Sequence, residues 1–246
     1  MSEVIAFVSG KGGTGKTSVC AGVAAALAEE GKRVLCIDCD VGLRNLDISL
    51  GMSECGALSF LDVSEGGYPL EQAAKHLDYP GIAFLTAPLN RSADRIDSGA
   101  FAEMLRKAKW QYDYILLDAP AGVDAGFRLV ASAAERFLLV TGSGPAAVRD
   151  AARVGELLEL MGRHDVRLVV NRVDRDMLQA VRQTVDDVMD NAGLPLCGIV
   201  PEDPNVVLAA TFGHTVLSYA KRCPAARAYG RIARRIQGFH APILRK

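Results

Sequence analysis

One loop near the amino terminus, residues 10–17, has the residue types and spacing to hold phosphate. It follows the apolar residues 4–8 and precedes an alanine-rich, helix-like stretch that ends at Gly31. Glycines at this spacing let backbone N–H groups surround phosphate oxygens at the positive end of the following helix. Lys16 can reach the β- and γ-phosphates of a nucleotide, and the Thr17 hydroxyl suits Mg²⁺. We therefore predict a phosphate-binding loop with the members Gly10, Lys11, Gly12, Gly13, Thr14, Gly15, Lys16, Thr17 and Ser18.

The same glycines also fit a second kind of site. They spell G-x-G-x-x-G, and the strand-like residues 33–38 end in an acid, as a dinucleotide site requires. A dinucleotide loop has no use for a lysine and a hydroxyl at the helix start, whereas a nucleoside triphosphate with Mg²⁺ needs both. Another strand-like run, residues 114–118, also ends in a carboxylate. The triphosphate interpretation is favoured, and it predicts Thr17 and Asp118 as residues that serve Mg²⁺.

Lys11 is an unusual residue in this loop. It is not needed to hold phosphate, and two lysines this close repel each other unless an anion lies between them. A solvated loop charge is the simple alternative. With X-Lys-Gly-Gly-X-Gly-Lys-Thr complete, however, the loop resembles the deviant Walker A loop of the MinD/ParA ATPase family. The resemblance implies an ATP-bridged homodimer in which Lys11 contacts the phosphates bound to the other subunit, as an arginine finger does.

Further segments resemble the MinD branch of that family. Residues 38–47 are similar to its switch I, and Gly-Leu-Arg-Asn-Leu-Asp is more specific to this branch than to ParA. Residues 118–122 are similar to switch II, with Ala119 where a serine is frequent. The resemblance runs from about residue 4 to residue 242. It implies that adenine is held by Asn171, Arg172, Pro201, Glu202 and Asp203. For Asn171 the residues alone leave a turn or cap role equally open.

The family resemblance also implies a reaction, the hydrolysis of ATP to ADP. Phosphoanhydride hydrolysis needs charge neutralisation and a positioned water more than covalent help from the protein. By resemblance, Lys11 and Lys16 supply charge, and Asp40 positions the water. Asp38, with Asp118, would serve the outer shell of the Mg²⁺ ion that Thr17 holds. The alternative for Asp38 and Asp40 is an ordinary acidic turn after a buried strand.

The distribution of apolar residues predicts the fold class. The chain has 246 residues, half of them hydrophobic, and can bury a large core without disulfides. Strand-like runs alternate with helical patterns, which predicts a parallel sheet covered on both sides. We expect one α/β domain, residues 1–246, with a doubly wound, mostly parallel sheet of the P-loop NTPase kind. The runs are residues 4–8, 33–38, 82–85, 114–117, 137–140, 168–170 and 196–200.

Cysteine and histidine spacing argues against a metal centre other than Mg²⁺. Cys36 and Cys39 form a C-x-x-C, but on a strand their Cα atoms lie roughly 10 Å apart on opposite faces, too far for a disulfide. We interpret them as packing cysteines. The four histidines are scattered without ligand spacing. Six cysteines in a chain of this kind suit a reducing cytoplasm, and no apolar run is long enough to span a membrane.

The C-terminal part of the chain is strongly basic. After Asp203 there is no acidic residue, and Pro224 and Gly238 mark the limits of a helix at about residues 224–237. Its apolar line, Ala228, Ile232 and Ile236, predicts a last helix docked on the sheet with its cations in water. The alternative is a basic amphipathic helix that binds acidic lipid or nucleic acid. The basic residues are Lys221, Arg222, Arg227, Arg231, Arg234, Arg235, Arg245 and Lys246.

The resemblance implies partners as well as a reaction. It predicts MinC-like and MinE-like regulators. Arg149, Asp150 and Arg153 open a helix with a clear apolar stripe, so we expect them to point outward. By resemblance this face receives the regulators, and an ordinary solvated face is the equal alternative.

The resemblance also implies a membrane-inserting C-terminal helix, but residues 242–246 are few and include a proline, so we do not expect them to form one. A shortened sequence, a reduced anchor and substitution by the basic helix at 224–237 are the open explanations. A cytoplasmic protein that is peripheral on an anionic membrane surface in its ATP form is the expectation, and nucleic acid is not an expected partner. The alternative functions are a flagellar-number or ParA-type partition ATPase, or a nucleotide-dependent scaffold with negligible turnover.

Overall fold

The computed structural model describes residues 2–89, 91–180 and 184–243, so Arg245 and Lys246 of the predicted basic tail lie outside the described residues. Strands and helices alternate along most of the chain. The strands are β1 (Glu3–Val8), β2 (Val34–Asp38), β3 (Ala74–Lys75), β4 (Ile82–Leu85), β5 (Tyr114–Asp118), β6 (Arg136–Thr141), β7 (Val166–Val173) and β8 (Leu196–Pro201). The helices are α1 (Lys16–Glu29), α2 (Leu46–Leu50), α3 (Phe60–Ser64), α4 (Ser98–Ala108), α5 (Ala125–Ala133), α6 (Pro145–Leu160), α7 (Arg175–Ala180), α8 (Val185–Ala192), α9 (Pro204–Thr211), α10 (Val216–Tyr219) and α11 (Pro224–Ile236).

The described strands form one twisted sheet in the order β3-β4-β2-β5-β1-β6-β7-β8. Strand β3 is antiparallel to β4, and the other neighbouring strands are parallel. Strand β1 lies in the middle, with β5 on one side and β6 on the other. A ligand site in such a sheet lies beyond the carboxyl ends of the strands where the winding reverses, which here is the end of β1.

Two apolar layers, one on each face of the sheet, account for the core. Helices α1 and α11 cover one face, where Val23 and Ile232 are buried. Helices α4, α5 and α6 cover the other, where Phe101, Phe127 and Leu158 are buried. The central strands read as continuous apolar runs because both their faces are covered. The predicted doubly wound α/β fold is confirmed.

Helix α11 is the predicted basic helix, one residue shorter than expected at its C-terminal end. Its apolar line, Ala228, Ile232 and Ile236, is buried against α1 and β8, while Arg227 and Arg234 are exposed. The line therefore cannot contact lipid while the helix stays docked. Within the described ranges no helix has the length and apolar character needed to cross a membrane.

Candidate functional site

The phosphate loop joins the carboxyl end of β1 to the first turn of α1. Gly15 lies at the N-cap of α1 with φ 80°, a left-handed conformation that glycine adopts without strain, and no side chain caps this helix. The first backbone N–H groups of α1 therefore remain available to an anion. Side chains added at Gly12 or Gly13 would meet open space, so the loop borders a free volume.

Lys16, Thr17 and Asp118 form a compact polar cluster beneath the loop. Lys16 Nζ donates to Asp118 Oδ1 over 2.6 Å, and Thr17 Oγ1 donates to Asp118 Oδ2 over 2.8 Å. Burial lowers the pKa of Lys16, but the charge and hydrogen bond of Asp118 outweigh burial and hold that pKa above its usual value. A lysine that stays charged and a hydroxyl beside a carboxylate are the groups that a Mg²⁺-bound phosphate requires, so these residues fit the predicted ligand.

Asp38 makes backbone contacts that its sequence position does not reveal. Its carboxylate accepts N–H bonds from Asp40, Asn45 and Leu46 at 2.9–3.1 Å. Burial and the nearby negative charge of Asp118 raise the pKa of Asp38 to about 6, although these N–H bonds lower it. Asp38 therefore stabilises the loop that carries Asp40 and the start of α2. Its role in binding Mg²⁺ stays a prediction.

Asp40 and Lys11 differ in their surroundings. Asp40 is half-buried, and burial raises its pKa while the charge of Lys16 lowers it, with a net increase. Asp40 thus lies within electrostatic reach of Lys16, as a water-positioning residue would. Lys11 is exposed and makes no ion pair with the part of the chain that the structure describes. Its side chain is free for an anion, and its action on a second subunit stays a prediction.

A cleft of about 150 Å³ lies beside the phosphate loop, and all five residues predicted to hold adenine line it. Asn171 also donates from Nδ2 to the carbonyl oxygen of Thr14 over 2.8 Å. Arg172 and Glu202 form a two-point ion pair at 2.8 and 3.1 Å. The cleft is therefore continuous with the phosphate loop and has a size suited to a planar base. Its other lining residues are Gly15, Ser18, Val200, Val206, Val207 and Tyr229.

Asp203 makes hydrogen bonds that stabilise the wall of this cleft. Its carboxylate accepts N–H bonds from Asn205, at the start of α9, and from Ala225, at the start of α11, each over 3.0 Å. Burial raises the pKa of Asp203, but these bonds and a contact with the Cys223 thiol outweigh burial and lower it. Asp203 joins two helices at the wall of the cleft, and its contact with a base stays a prediction.

Asp150, which was expected to point away from the protein surface, does not do so. Arg149 and Arg153 on α6 are exposed, but Asp150 is half-buried beside Gly10. A Cβ atom added at Gly10 would lie 2.7 Å from Asp150 Cβ and 2.8 Å from its carbonyl carbon. The apolar pattern of α6 predicted that Asp150 points outward. This pattern carries no information about the phosphate loop, which covers that turn of the helix.

The fold and the site together define a P-loop nucleotide-binding protein. The profile of the CobQ/CobB/MinD/ParA nucleotide binding domain matches residues 5–216, so the chain belongs to this family. Its most similar relatives include the septum site-determining protein MinD of a Synechocystis species, with 37% identity over 99% of this chain and 92% of that protein.

Solved structures agree with this assignment. In the MinC:MinD cell division protein complex of Aquifex aeolicus, one chain matches with a TM-score of 0.91 and 36% identity over 99% of both chains. The MinD of Pyrococcus horikoshii, complexed with Mg-ADP, matches with a TM-score of 0.81 and 27% identity over 96% of both chains. The predicted resemblance to the MinD branch is confirmed.

Proposed function

We propose that this chain is a MinD-like ATPase that hydrolyses ATP with Mg²⁺ and acts in division-site placement. The observation that carries the proposal is the cluster of buried Lys16 and Asp118 with half-buried Thr17 under a glycine loop, which also carries the exposed Lys11. The similarity to MinD proteins, one of them complexed with Mg-ADP, supports ATP/ADP and Mg²⁺ as the ligands.

Each residue of the cluster has a distinct task in the proposed reaction. The loop N–H groups and Lys16 would bind the phosphates, and Thr17, with Asp118 and Asp38 further out, would hold Mg²⁺. The metal ion supplies charge neutralisation on the phosphate oxygens. Asp40 would accept a hydrogen bond from the attacking water and orient it. Lys11 would add the remaining positive charge from the second subunit of an ATP-bridged homodimer.

A MinC-like protein is the first partner to expect. The Aquifex aeolicus MinD, similar to this chain along its whole length, was solved with MinC. The exposed Arg149 and Arg153 on α6 offer a charged face close to the phosphate loop, because Asp150 on the same turn lies against Gly10. A MinE-like regulator on this face is part of the proposal.

For localisation, we propose a cytoplasmic protein that attaches to an anionic membrane surface in its ATP form. The exposed cations of α11, such as Arg227 and Arg234, supply the attraction. Each cation near such a surface contributes about 1 kcal/mol at most, so one copy binds weakly. Two copies in a dimer gain by effective concentration.

Vesicle co-sedimentation with ATP, ADP and no nucleotide, beside a DNA-binding assay, tests this proposal. Binding should require anionic lipid, be strongest with ATP and decrease steeply with salt. Arg227→Glu should weaken it several-fold, whereas Lys107→Glu, an exposed charge reversal on α4, should leave it unchanged. Salt-resistant binding of the ADP form to neutral vesicles would contradict the proposed surface, and ATP-dependent DNA binding would favour a partition ATPase.

A further inference from the structure

The loop that carries Asp40 is closed by hydrogen bonds to both sides of this residue. The N–H group of Asp40 donates to the Asp38 carboxylate over 2.9 Å. The carbonyl oxygen of Asp40 accepts N–H bonds from Leu43 and Arg44, at 3.3 and 3.4 Å. These bonds hold the backbone from which the half-buried Asp40 carboxylate extends. The direction of that carboxylate therefore depends on the shape of residues 40–44.

Arg44 closes this loop in a conformation that is unfavourable for it. Its φ is 43°, in the left-handed region that a residue with a side chain rarely adopts. Gly42, two residues earlier, has φ 101°, which costs a glycine nothing comparable. A strained backbone of this kind persists only where surrounding contacts determine it. Contacts of Arg44 outside the loop must therefore maintain the shape of the loop.

The side chain of Arg44 makes such a contact with the end of the sheet. Its Nε atom donates to Oγ1 of Thr86 over 2.7 Å, and Thr86, directly after β4, is buried. The backbone of Thr86 is held on both sides, because its N–H donates to the Leu58 carbonyl and its carbonyl accepts from Phe60 N–H, each over 2.9 Å. Thr86 is therefore a rigid anchor for the loop of Asp40.

The rest of the Arg44 side chain is loosely surrounded. Among the described residues, Thr86 is the one hydrogen-bond partner of this side chain. Arg44 is half-buried and lines two clefts, of about 380 and 220 Å³, rather than the core. The bond to Thr86 is therefore the contact that determines where the Arg44 side chain lies.

We propose that Arg44 is a positioning residue that, through its hydrogen bond to Thr86, holds Asp40 in the direction needed to orient the attacking water. This inference rests on the proposed ATPase function and goes beyond it, because neither Arg44 nor Thr86 belongs to the phosphate loop, the predicted Mg²⁺ site or the base cleft. With the bond in place, the loop keeps one shape and the Asp40 carboxylate is preorganised. Without it, the strained loop relaxes, which lowers the rate of hydrolysis and leaves nucleotide binding unchanged.

Substitution of Thr86 tests this role without altering the loop itself. Thr86→Val keeps the shape and removes the acceptor, whereas Thr86→Ser retains the hydroxyl. Arg44→Asn is a second variant, because asparagine tolerates the left-handed conformation and is too short to reach Thr86. The matched control is Thr211→Val, since Thr211 is exposed at the end of α9 and its Oγ1 donates to the Val207 carbonyl over 2.9 Å. Single-turnover hydrolysis of Mg²⁺·ATP and calorimetric affinity for Mg²⁺·ADP are measured on the full chain.

Thr86→Val and Arg44→Asn should each lower the single-turnover rate about tenfold, the effect of one hydrogen bond from a charged group. Their affinities for Mg²⁺·ADP should stay within about twofold of the wild type, because the phosphate loop is untouched. Thr86→Ser and Thr211→Val should match the wild type in both measurements. A loss of ADP affinity in Thr86→Val as large as the loss of rate would overturn the positioning role in favour of a general structural one.

A double substitution locates the effect at Asp40. In the Asp40→Ala background the loop has no carboxylate to direct, so Thr86→Val should lower the remaining rate by less than about twofold. A further tenfold loss in that background, or a wild-type rate in Thr86→Val alone, would overturn the positioning role and leave the proposed ATPase intact. If the wild type itself failed to hydrolyse ATP, the proposed function would be overturned and the positioning role with it.

Discussion

Replacing Lys16 with alanine should weaken binding of Mg²⁺·ADP by about 100-fold. Hydrogen bonds to charged groups contribute about 1.5–3 kcal/mol each, and Lys16 is positioned to make such bonds with phosphate oxygens. The same substitution on Lys11 should change ADP affinity by about twofold at most, because Lys16 and the loop N–H groups remain. Isothermal titration calorimetry of both variants gives the comparison.

A stability measurement must accompany this comparison. Removal of Lys16 leaves the buried Asp118 with Thr17 as its side-chain partner, and a buried carboxylate without its countercharge destabilises a fold. Lys16→Gln retains a hydrogen-bond donor and provides a milder variant. Equal loss of ADP affinity on substitution of Lys11 and of Lys16, in folded proteins, would exclude the assignment of Lys11 to a second subunit.

Substitution of Asp40 by alanine should lower the rate of ATP hydrolysis by about 100-fold, while the affinity for ATP changes only a few-fold. A residue that orients water acts mainly in the transition state, and such groups typically contribute factors of 10²–10⁴. Single-turnover hydrolysis with excess protein measures the chemical step directly. The ATP-bound dimer should accumulate because its decay is slowed.

Asp47→Ala is the matched control for this variant. Asp47 is an acid in the same segment, and its carboxylate accepts the N–H bond of Ile48 over 2.8 Å. Turnover in this control should stay near the wild-type rate. Unchanged hydrolysis in Asp40→Ala would favour a nucleotide-dependent scaffold over an ATPase that acts as a timer.

The phosphate loop and the parallel strands could be predicted from the sequence because both depend on local patterns. Glycine spacing, Lys16 and the helix that follows determine the cradle, and continuous apolar runs identify strands buried on both faces. The short antiparallel strand β3 was not predicted, since two residues carry no periodic signal. The limits of α11 were predicted to within a residue from Pro224 and Gly238.

Contacts between distant segments could not be predicted in this way. Tyr229 lines the base cleft only because α11 packs on α1, more than 200 residues away along the chain. Asp150 was expected to face outward because its position on α6 says nothing of the loop that covers it. Arg172 has a left-handed conformation, and its ion-pair partner, Glu202, lies thirty residues further along the chain.

The mass of the protein in solution tests the proposed ATP-bridged homodimer most directly. Light scattering on the Asp40→Ala variant, in which ATP persists, should give twice the 26.2 kDa chain mass with Mg²⁺·ATP and the single-chain mass with Mg²⁺·ADP. Adding Lys11→Ala to that variant should give the single-chain mass with both nucleotides. A single-chain mass for Asp40→Ala with bound ATP, or a dimer that persists with ADP and without Lys11, would contradict the account.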